Sequence, residues 1–341
     1  MSRRTAAASW LRAMQRSFTA ASRLWAAPGT QALARLPVRS PLKAAGKPRK
    51  GEAGTWLPGL VMGASGMRRY RLYQPAGVPA RERLPLLVML HGCGQDANSF
   101  ALSTRMNRLA ERERFLVLYP EQDRLSNSQA CWNWFDTDSG RAQAEAALIL
   151  QSVDQVCLLR PADRTRVAIA GLSSGASMAA LVATRYPDRF KAVVMHSGVP
   201  PGFAHSGPSA LGAMLGRHAA PAQARAAHKP TLARPPLLAI HGRADLIVSP
   251  HNSEAAALVW AQASGARPGP ARTVHRGQRY PMSVTEFKCG GSTVARLVAV
   301  DGLAHAWSGG AAGQAFSDAK GPDASRMVWA FALQQFGPAV G

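Results

Sequence analysis

The chain has 341 residues, 47% of them apolar, enough to bury a large core without a metal or a set of disulfides to hold it. Its formal charge is +22, and residues 1–50 hold eleven Lys or Arg and no Asp or Glu; the other 291 residues hold 30 basic against 19 acidic side chains. No run of about 18 apolar residues occurs, which excludes a transmembrane helix, and Arg12, Arg16 and Arg23 interrupt any stretch that could act as a secretory signal.

Residues 8–25 carry Trp10, Met14, Phe18, Ala21 and Trp25 at steps of three and four, one face of a helix, with Arg12, Arg16 and Arg23 opposite. The pattern predicts a helix lying on an anionic membrane or a polyester granule, or docked on the protein's own body. Residues 26–55, rich in Ala, Pro, Arg and Lys, read as a linker, so the domain division expected is a leader and linker over 1–55 and a catalytic body over 56–341.

Strands and helices then alternate. Strands are predicted at Arg69–Tyr73, Leu84–Leu90, Phe115–Tyr119, Arg166–Ala170, Phe190–Met195, Leu237–Ile240 and Val294–Val300. Helices are predicted at Asn98–Arg112 with Asn98 as N-cap, and at Gly140–Leu159, Gly175–Thr184, Ser253–Ala263 and Ala324–Phe336. This order predicts an α/β fold whose mostly parallel sheet is covered by helices on both faces. Residues 200–234, rich in Gly, Ala, Pro and His, read as a loop or small cap.

Gly171-Leu172-Ser173-Ser174-Gly175 sits between a predicted strand and a predicted helix. This is G-x-S-x-G in the context it needs: a turn so tight that its flanking residues must be small, presenting Ser173 as a nucleophile above a helix N-terminus. The predicted strand Leu84–Leu90 runs into His91-Gly92-Cys93-Gly94-Gln95, where glycines let the backbone approach a substrate carbonyl. The backbone N–H groups of Cys93 and Ser174 are the candidate oxyanion donors. A serine nucleophile needs a base and a carboxylate to orient that base, in the chain order serine, acid, histidine. Asp245 follows the strand Leu237–Ile240, and His305 follows the strand ending at Val300. Asp301 is the alternative acid; His196 and His241, close to strand ends, read as structural or pocket-lining. The four cysteines, Cys93, Cys131, Cys157 and Cys289, form no CxxC pair and have no His cluster near them, which argues against zinc.

The stretches His91–Gln95, Cys131-Trp132-Asn133-Trp134-Phe135, Gly171–Gly175, His241-Gly242 with Asp245, and Gly302 with His305-Ala306-Trp307 together resemble the polyhydroxybutyrate (PHB) depolymerase family of esterases. That family has the α/β-hydrolase fold and also includes feruloyl and acetylxylan esterases. The resemblance spans about residues 65–337. It implies cleavage of 3-hydroxyalkanoate esters through an acyl-enzyme, without a cofactor, by Ser173, Asp245 and His305. It makes Trp132, Trp134 and Trp307 candidates for an apolar substrate wall, with core packing as the alternative. It also brings Cys93 and Cys131 close enough to pair, although without a secretory signal free thiols in a reducing cell are the expectation. Secreted members carry a polymer-binding domain after the catalytic one. Here the chain stops at Gly341, so the expectation is a cytoplasmic enzyme held on amorphous granules by residues 8–25, with secretion as the alternative. A small-ester hydrolase is the second reading. A granule-coating or nucleic-acid-binding protein is the third, against which the complete triad argues, and no specific nucleic acid partner is expected.

Overall fold

The computed structural model describes residues 54–79, 81–217 and 234–337. The helix expected over 8–25 lies outside them, as do His218 and His228. Gly54–Gly341 forms one compact unit.

Two antiparallel strands open it, β1 (Thr55–Gly63) and β2 (Gly66–Gln74). Thr55, read as the end of a linker, is therefore the first residue of an edge strand. The centre of the sheet is parallel: β3 (Leu84–Leu90), β4 (Leu116–Pro120), β5 (Ala162–Leu172), β6 (Ala192–His196) and β7 (Leu237–Gly242). Every residue of β3, β4, β6 and β7 is buried, as a sheet covered on both faces requires. Beyond them come β8 (Arg267–Pro268), β9 (Arg272–Val274), β10 (Met282–Cys289) and β11 (Ser292–Val300). The spatial order is β1-β2-β4-β3-β5-β6-β7-β11-β10-β8, with β9 also paired to β10. The strand β11 runs parallel to β7, and β10 returns antiparallel beside it. A separate pair, β12 (Trp307–Ser308) and β13 (Ser317–Asp318), closes the loop after β11. β10 was not expected: of its eight residues only Val284 and Phe287 are buried, three apart, which breaks the alternation that marks a strand.

The helices are α1 (Ala97–Thr104), α2 (Met106–Glu113), α3 (Arg141–Leu159), α4 (Ser174–Arg185), α5 (Gly207–Met214), α6 (His251–Ala263) and α7 (Ala324–Gln335). One core packs α1, α2 and α7 against the sheet through Phe100, Leu109, Trp329 and Phe331; α3, α4 and α6 pack on the sheet as well. The helix expected over Asn98–Arg112 is two helices. The break is Arg105, a left-handed residue (φ 55°) whose guanidinium donates to the Gly310 carbonyl at 2.6 Å. The N-cap is Asp96 and not Asn98: Asp96 Oδ1 accepts from the Ser99 amide at 2.8 Å, and Ser99 Oγ accepts from the Asp96 amide at 2.9 Å. Asn98 Oδ1 instead accepts from Trp56 Nε1 at 2.8 Å. Within 200–234 the described part contains α5, itself closed by a box between Ser206 and Ser209.

Loss of the α1 cap should be measurable. Asp96→Ala is expected to lower unfolding free energy by about 1 kcal/mol, read as a drop in the urea midpoint, whereas Asp96→Asn should retain most of it; equal midpoints for Ala and wild type would remove the cap from the account.

Candidate active site

The carboxyl ends of β3, β5, β7 and β11 lie on one edge because those strands are parallel, and each ends in a loop carrying a candidate residue. Ser173 stands between β5 and α4 with φ 56° and ψ −121°, a strained backbone for a residue with a side chain. Its amide donates to the His196 carbonyl at 2.9 Å, tying the turn to β6. The turn leaves no space beside it. A Cβ on Gly171 would meet Gly175 C and O at 2.3 Å, and one on Gly175 would meet the Leu90 carbonyl oxygen at 2.2 Å.

The acid and the imidazole do meet. His305 Nδ1 donates to Asp245 Oδ2 at 2.7 Å, and Asp245 is 4% exposed and His305 7%. Asp245 Oδ1 accepts from the amides of Ile247 and Val248, both at 2.9 Å. A second histidine, His241, donates Nε2–H to the same Oδ2 at 3.1 Å and to the Val248 carbonyl at 2.9 Å, while its Nδ1 accepts from Ser253 Oγ at 2.5 Å. Burial alone would raise the Asp245 pKa. The charge of His305 and the hydrogen bonds from both histidines outweigh it and hold the carboxyl well below the usual range. Asp301 is not part of this arrangement: it pairs with Arg243 at 2.9 Å, half-exposed. His305 Nε2 is buried and without a hydrogen-bond partner among the described residues, and no hydrogen bond joins it to Ser173 Oγ in this structure. His241 was legible only as a strand-end histidine; its pairing with Asp245 four residues on, across a turn, carries no sequence signature.

The loop after β3 is fixed on both sides of one amide. Gln95 Oε1 accepts from the Gly92 amide at 3.0 Å, and the Gln129 carbonyl accepts from the Gly94 amide at 2.7 Å. Between them the Cys93 amide donates no hydrogen bond among the described residues, and neither does the Ser174 amide at the start of α4. Cys93 and Cys131 form a disulfide, where free thiols were the expectation. The local folding sets their Cα atoms 4.2 Å apart, close enough to be bridged. Cys157 and Cys289 are free.

Two of the three expected wall residues are core. Trp132 and Trp307 have no exposed surface. Trp132 Nε1 donates to the His91 carbonyl at 3.0 Å, and its ring lies 5.1 Å from the Arg68 guanidinium. Trp307 stacks on His196 with centroids 5.1 Å apart and donates to Ser325 Oγ at 3.1 Å. Indoles held on every side cannot face a substrate. Trp134 keeps 8% exposure, much as His305 does.

A buried polar cluster holds the Cys131–Phe135 loop. Glu145, on the inner face of α3, accepts from Gln122 Nε2 at 2.7 Å, Asn133 Nδ2 at 2.6 Å and the Asn133 amide at 3.0 Å. Arg68, 3% exposed, donates to Gln122 Oε1 and to the Glu121 carbonyl. Asn127 completes the cluster, donating to Asn133 Oδ1 at 3.0 Å. The signal for it was a carboxylate at Glu145, in helical register with Ala142, Ile149 and Val153. Among the described residues no group of three or more His, Cys, Asp or Glu is placed to hold a metal ion, and no helix is long and apolar enough to cross a membrane.

Two more buried histidines set an acid limit. Desolvation lowers His91 from 6.5 to about 4 and His196 to about 3. The unfolded chain titrates both near 6.5, so between about pH 6.5 and pH 4 it binds protons the folded chain refuses, and stability falls as pH drops through that window. Asp245, whose pKa is depressed, adds a loss in the same direction below about pH 4, its unfolded value. Urea midpoints taken from pH 7.5 down to 4.5 should decline, and His196→Gln should flatten the decline; a wild-type midpoint that ignores pH would contradict this account.

The family described as "Esterase PHB depolymerase" matches residues 68–266, more than half of the chain. Poly(3-hydroxyalkanoate) depolymerase C of Paucimonas lemoignei is 37% identical over 185 residues, which are 52% of this chain and 44% of that protein. Feruloyl esterase B of Neurospora crassa is 34% identical over 116 residues, 33% of this chain and 39% of that one. The matched stretch thus spans less than half the length of either relative. Among solved structures, acetyl xylan esterase from Aspergillus awamori superposes with a TM-score of 0.58 at 20% identity, covering 74% of this chain and 94% of that one. An S-formylglutathione hydrolase from Agrobacterium tumefaciens gives 0.51 at 16% identity, covering 85% and 98%. The fold is that of the α/β-hydrolases, and the chain belongs to the esterase PHB depolymerase family.

Proposed function

We propose that this protein is a serine esterase that cleaves the ester bonds of poly(3-hydroxyalkanoate), as amorphous PHB or its oligomers. The observation that carries the reading is the Asp245–His305 hydrogen bond, which leaves Nε2 as the free nitrogen of the ring on the edge where Ser173 stands in its strained turn. In this reading Nε2 takes the proton of Ser173 as its hydroxyl attacks the ester carbonyl. The free amides of Cys93 and Ser174 hold the oxyanion, and His305 then passes the proton to the leaving alcohol. Water, deprotonated by the same ring, releases the hydroxy acid and restores Ser173. Asp245 keeps the Nδ1 tautomer protonated and stays ionised throughout, consistent with its depressed pKa. No step requires a cofactor. The likeness to a poly(3-hydroxyalkanoate) depolymerase, at higher identity and over a longer stretch than to the feruloyl esterase of Neurospora crassa, supports the polyester as substrate.

The alternative, a hydrolase of feruloyl, acetyl or aryl esters, is favoured by the burial of Trp132 and Trp307, which removes two of the three aromatic groups offered for a polymer wall. Initial rates on 3-hydroxybutyrate oligomers and native amorphous granules, against methyl ferulate and 4-nitrophenyl acetate, decide between them. Ser173→Ala should abolish all turnover, and Asp245→Asn should lower kcat by about 10⁴-fold with little change in KM. Residual turnover by Ser173→Ala at the wild-type rate would end the serine mechanism.

The basic amphipathic pattern of residues 8–25 suits a polyester granule surface, and we include that placement in the proposal. Deleting residues 1–50 should release the enzyme from sedimented granules while sparing turnover of a soluble ester; unchanged co-sedimentation would count against it.

A further inference from the structure

A groove of about 540 Å³ opens between α7 and the end of the sheet formed by β9, β10 and β11. None of the residues lining it is Ser173, Asp245 or His305. Its volume falls in the range of about 300–1,000 Å³ typical of small-ligand sites. The apolar floor that faces the groove is the half-buried Val274, Tyr280, Met282 and Met327, which pack over the core residues Leu238, Val284 and Val298.

The rim is cationic. Five arginines line the groove, Arg272, Arg276, Arg279, Arg296 and Arg326, against one carboxylate, Asp323. Arg296 is matched by Glu286 at 2.9 Å, and Arg326 by Asp323 at 3.4 Å. Arg279 donates to the carbonyls of Gly321 at 2.5 Å and Ala319 at 3.4 Å, which orients its guanidinium without cancelling its charge. Arg272 and Arg276 form no ion pair among the described residues, and neither does Arg279. Three uncompensated guanidinium groups thus stand beside an apolar trough.

We propose that this groove is a second binding site, separate from the triad, for a single-chain aliphatic carboxylate. The tail lies against the half-buried Val274, Met282 and Met327, and the carboxylate is taken by Arg272 and Arg276. Both halves of the site are needed to choose the ligand. A polyanion such as nucleic acid would use the arginines and leave the apolar floor without a partner. A bilayer surface would need apolar side chains that protrude, whereas these are recessed. A carboxylate with an alkyl tail matches the charge and the floor together, and a planar guanidinium binds a carboxylate through two parallel N–H donors.

The full chain should be titrated calorimetrically with sodium octanoate, with 1-octanol as a neutral ligand of the same tail length, and with acetate. Saturable octanoate binding is expected, with octanol and acetate each at least about tenfold weaker, since octanol gives up one or two charge-assisted hydrogen bonds and acetate gives up the burial of the tail. The double change Arg272→Ala with Arg276→Ala should weaken octanoate by the same factor. Ala330→Trp, at an exposed position of α7 on the groove wall, should abolish binding by filling the trough. Thermal melts of the variants show that they fold. Failure of the wild type to bind octanoate, octanol binding as tightly as octanoate, or octanoate affinity unchanged in both folded variants would each overturn the proposal. Capture by phosphatidylglycerol vesicles without octanoate binding would overturn it as well, by assigning the face to a lipid surface.

Discussion

The geometry of this site depends on one buried carboxylate. Asp245 leaves β7 and reaches the loop after β11, the strand paired with it, so a single hydrogen bond to His305 closes the gap between two loops 60 residues apart. A carboxylate out of water is costly unless its oxygens are filled, and here they are. Two backbone amides take Oδ1, and two imidazoles share Oδ2. The His241 ring is itself immobilised by Ser253 and the Val248 carbonyl, so the carboxylate cannot rotate away from His305 without breaking contacts on three segments of chain.

The opposite wall of the site rests on a second buried carboxylate. Glu145 organises Gln122 and Asn133, and through them the Cys131–Phe135 loop. That loop reaches the candidate oxyanion donors by three routes: the disulfide to Cys93, the Trp132 indole on the His91 carbonyl, and the Trp132 amide on Ser174 Oγ at 3.4 Å. The aromatic stretch therefore serves as scaffold for the loop after β3. Trp132, buried, is the one of its tryptophans that touches the His91 carbonyl and Ser174, and Trp134 lies nearer the surface.

Charge is distributed on the described body in a way that its net value conceals. Arg68 is buried and serves the Glu145 cluster, while Arg105 is spent on the Gly310 carbonyl at a helix break. Three of the arginines left without acids, Arg272, Arg276 and Arg279, lie where β9 and β10 extend the sheet past β11, beside the half-buried Val274, Met282 and Met327. The basic surplus of the body is thus partly structural and partly spread over its surface, one end of the sheet included.

Much of this was legible in the chain itself because the signals are local. Solid apolar runs such as Leu84–Leu90 mark strands buried on both faces, and G-x-S-x-G between a strand and a helix marks a turn that only glycine can flank, as the 2.2 Å and 2.3 Å approaches at Gly175 and Gly171 bear out. Chain order and strand ends sufficed to put Asp245 and His305 forward. What required the tertiary structure was everything settled by partners distant in sequence. These are the choice of Asp245 over Asp301, the second imidazole on Asp245, the Cys93–Cys131 pairing, the burial of Trp132 and Trp307, and the β10 extension. A period or a motif reports what a residue's neighbours along the chain allow; whether an indole meets solvent or a carboxylate meets a ring depends on which strands lie side by side, and that is decided only when the sheet is assembled.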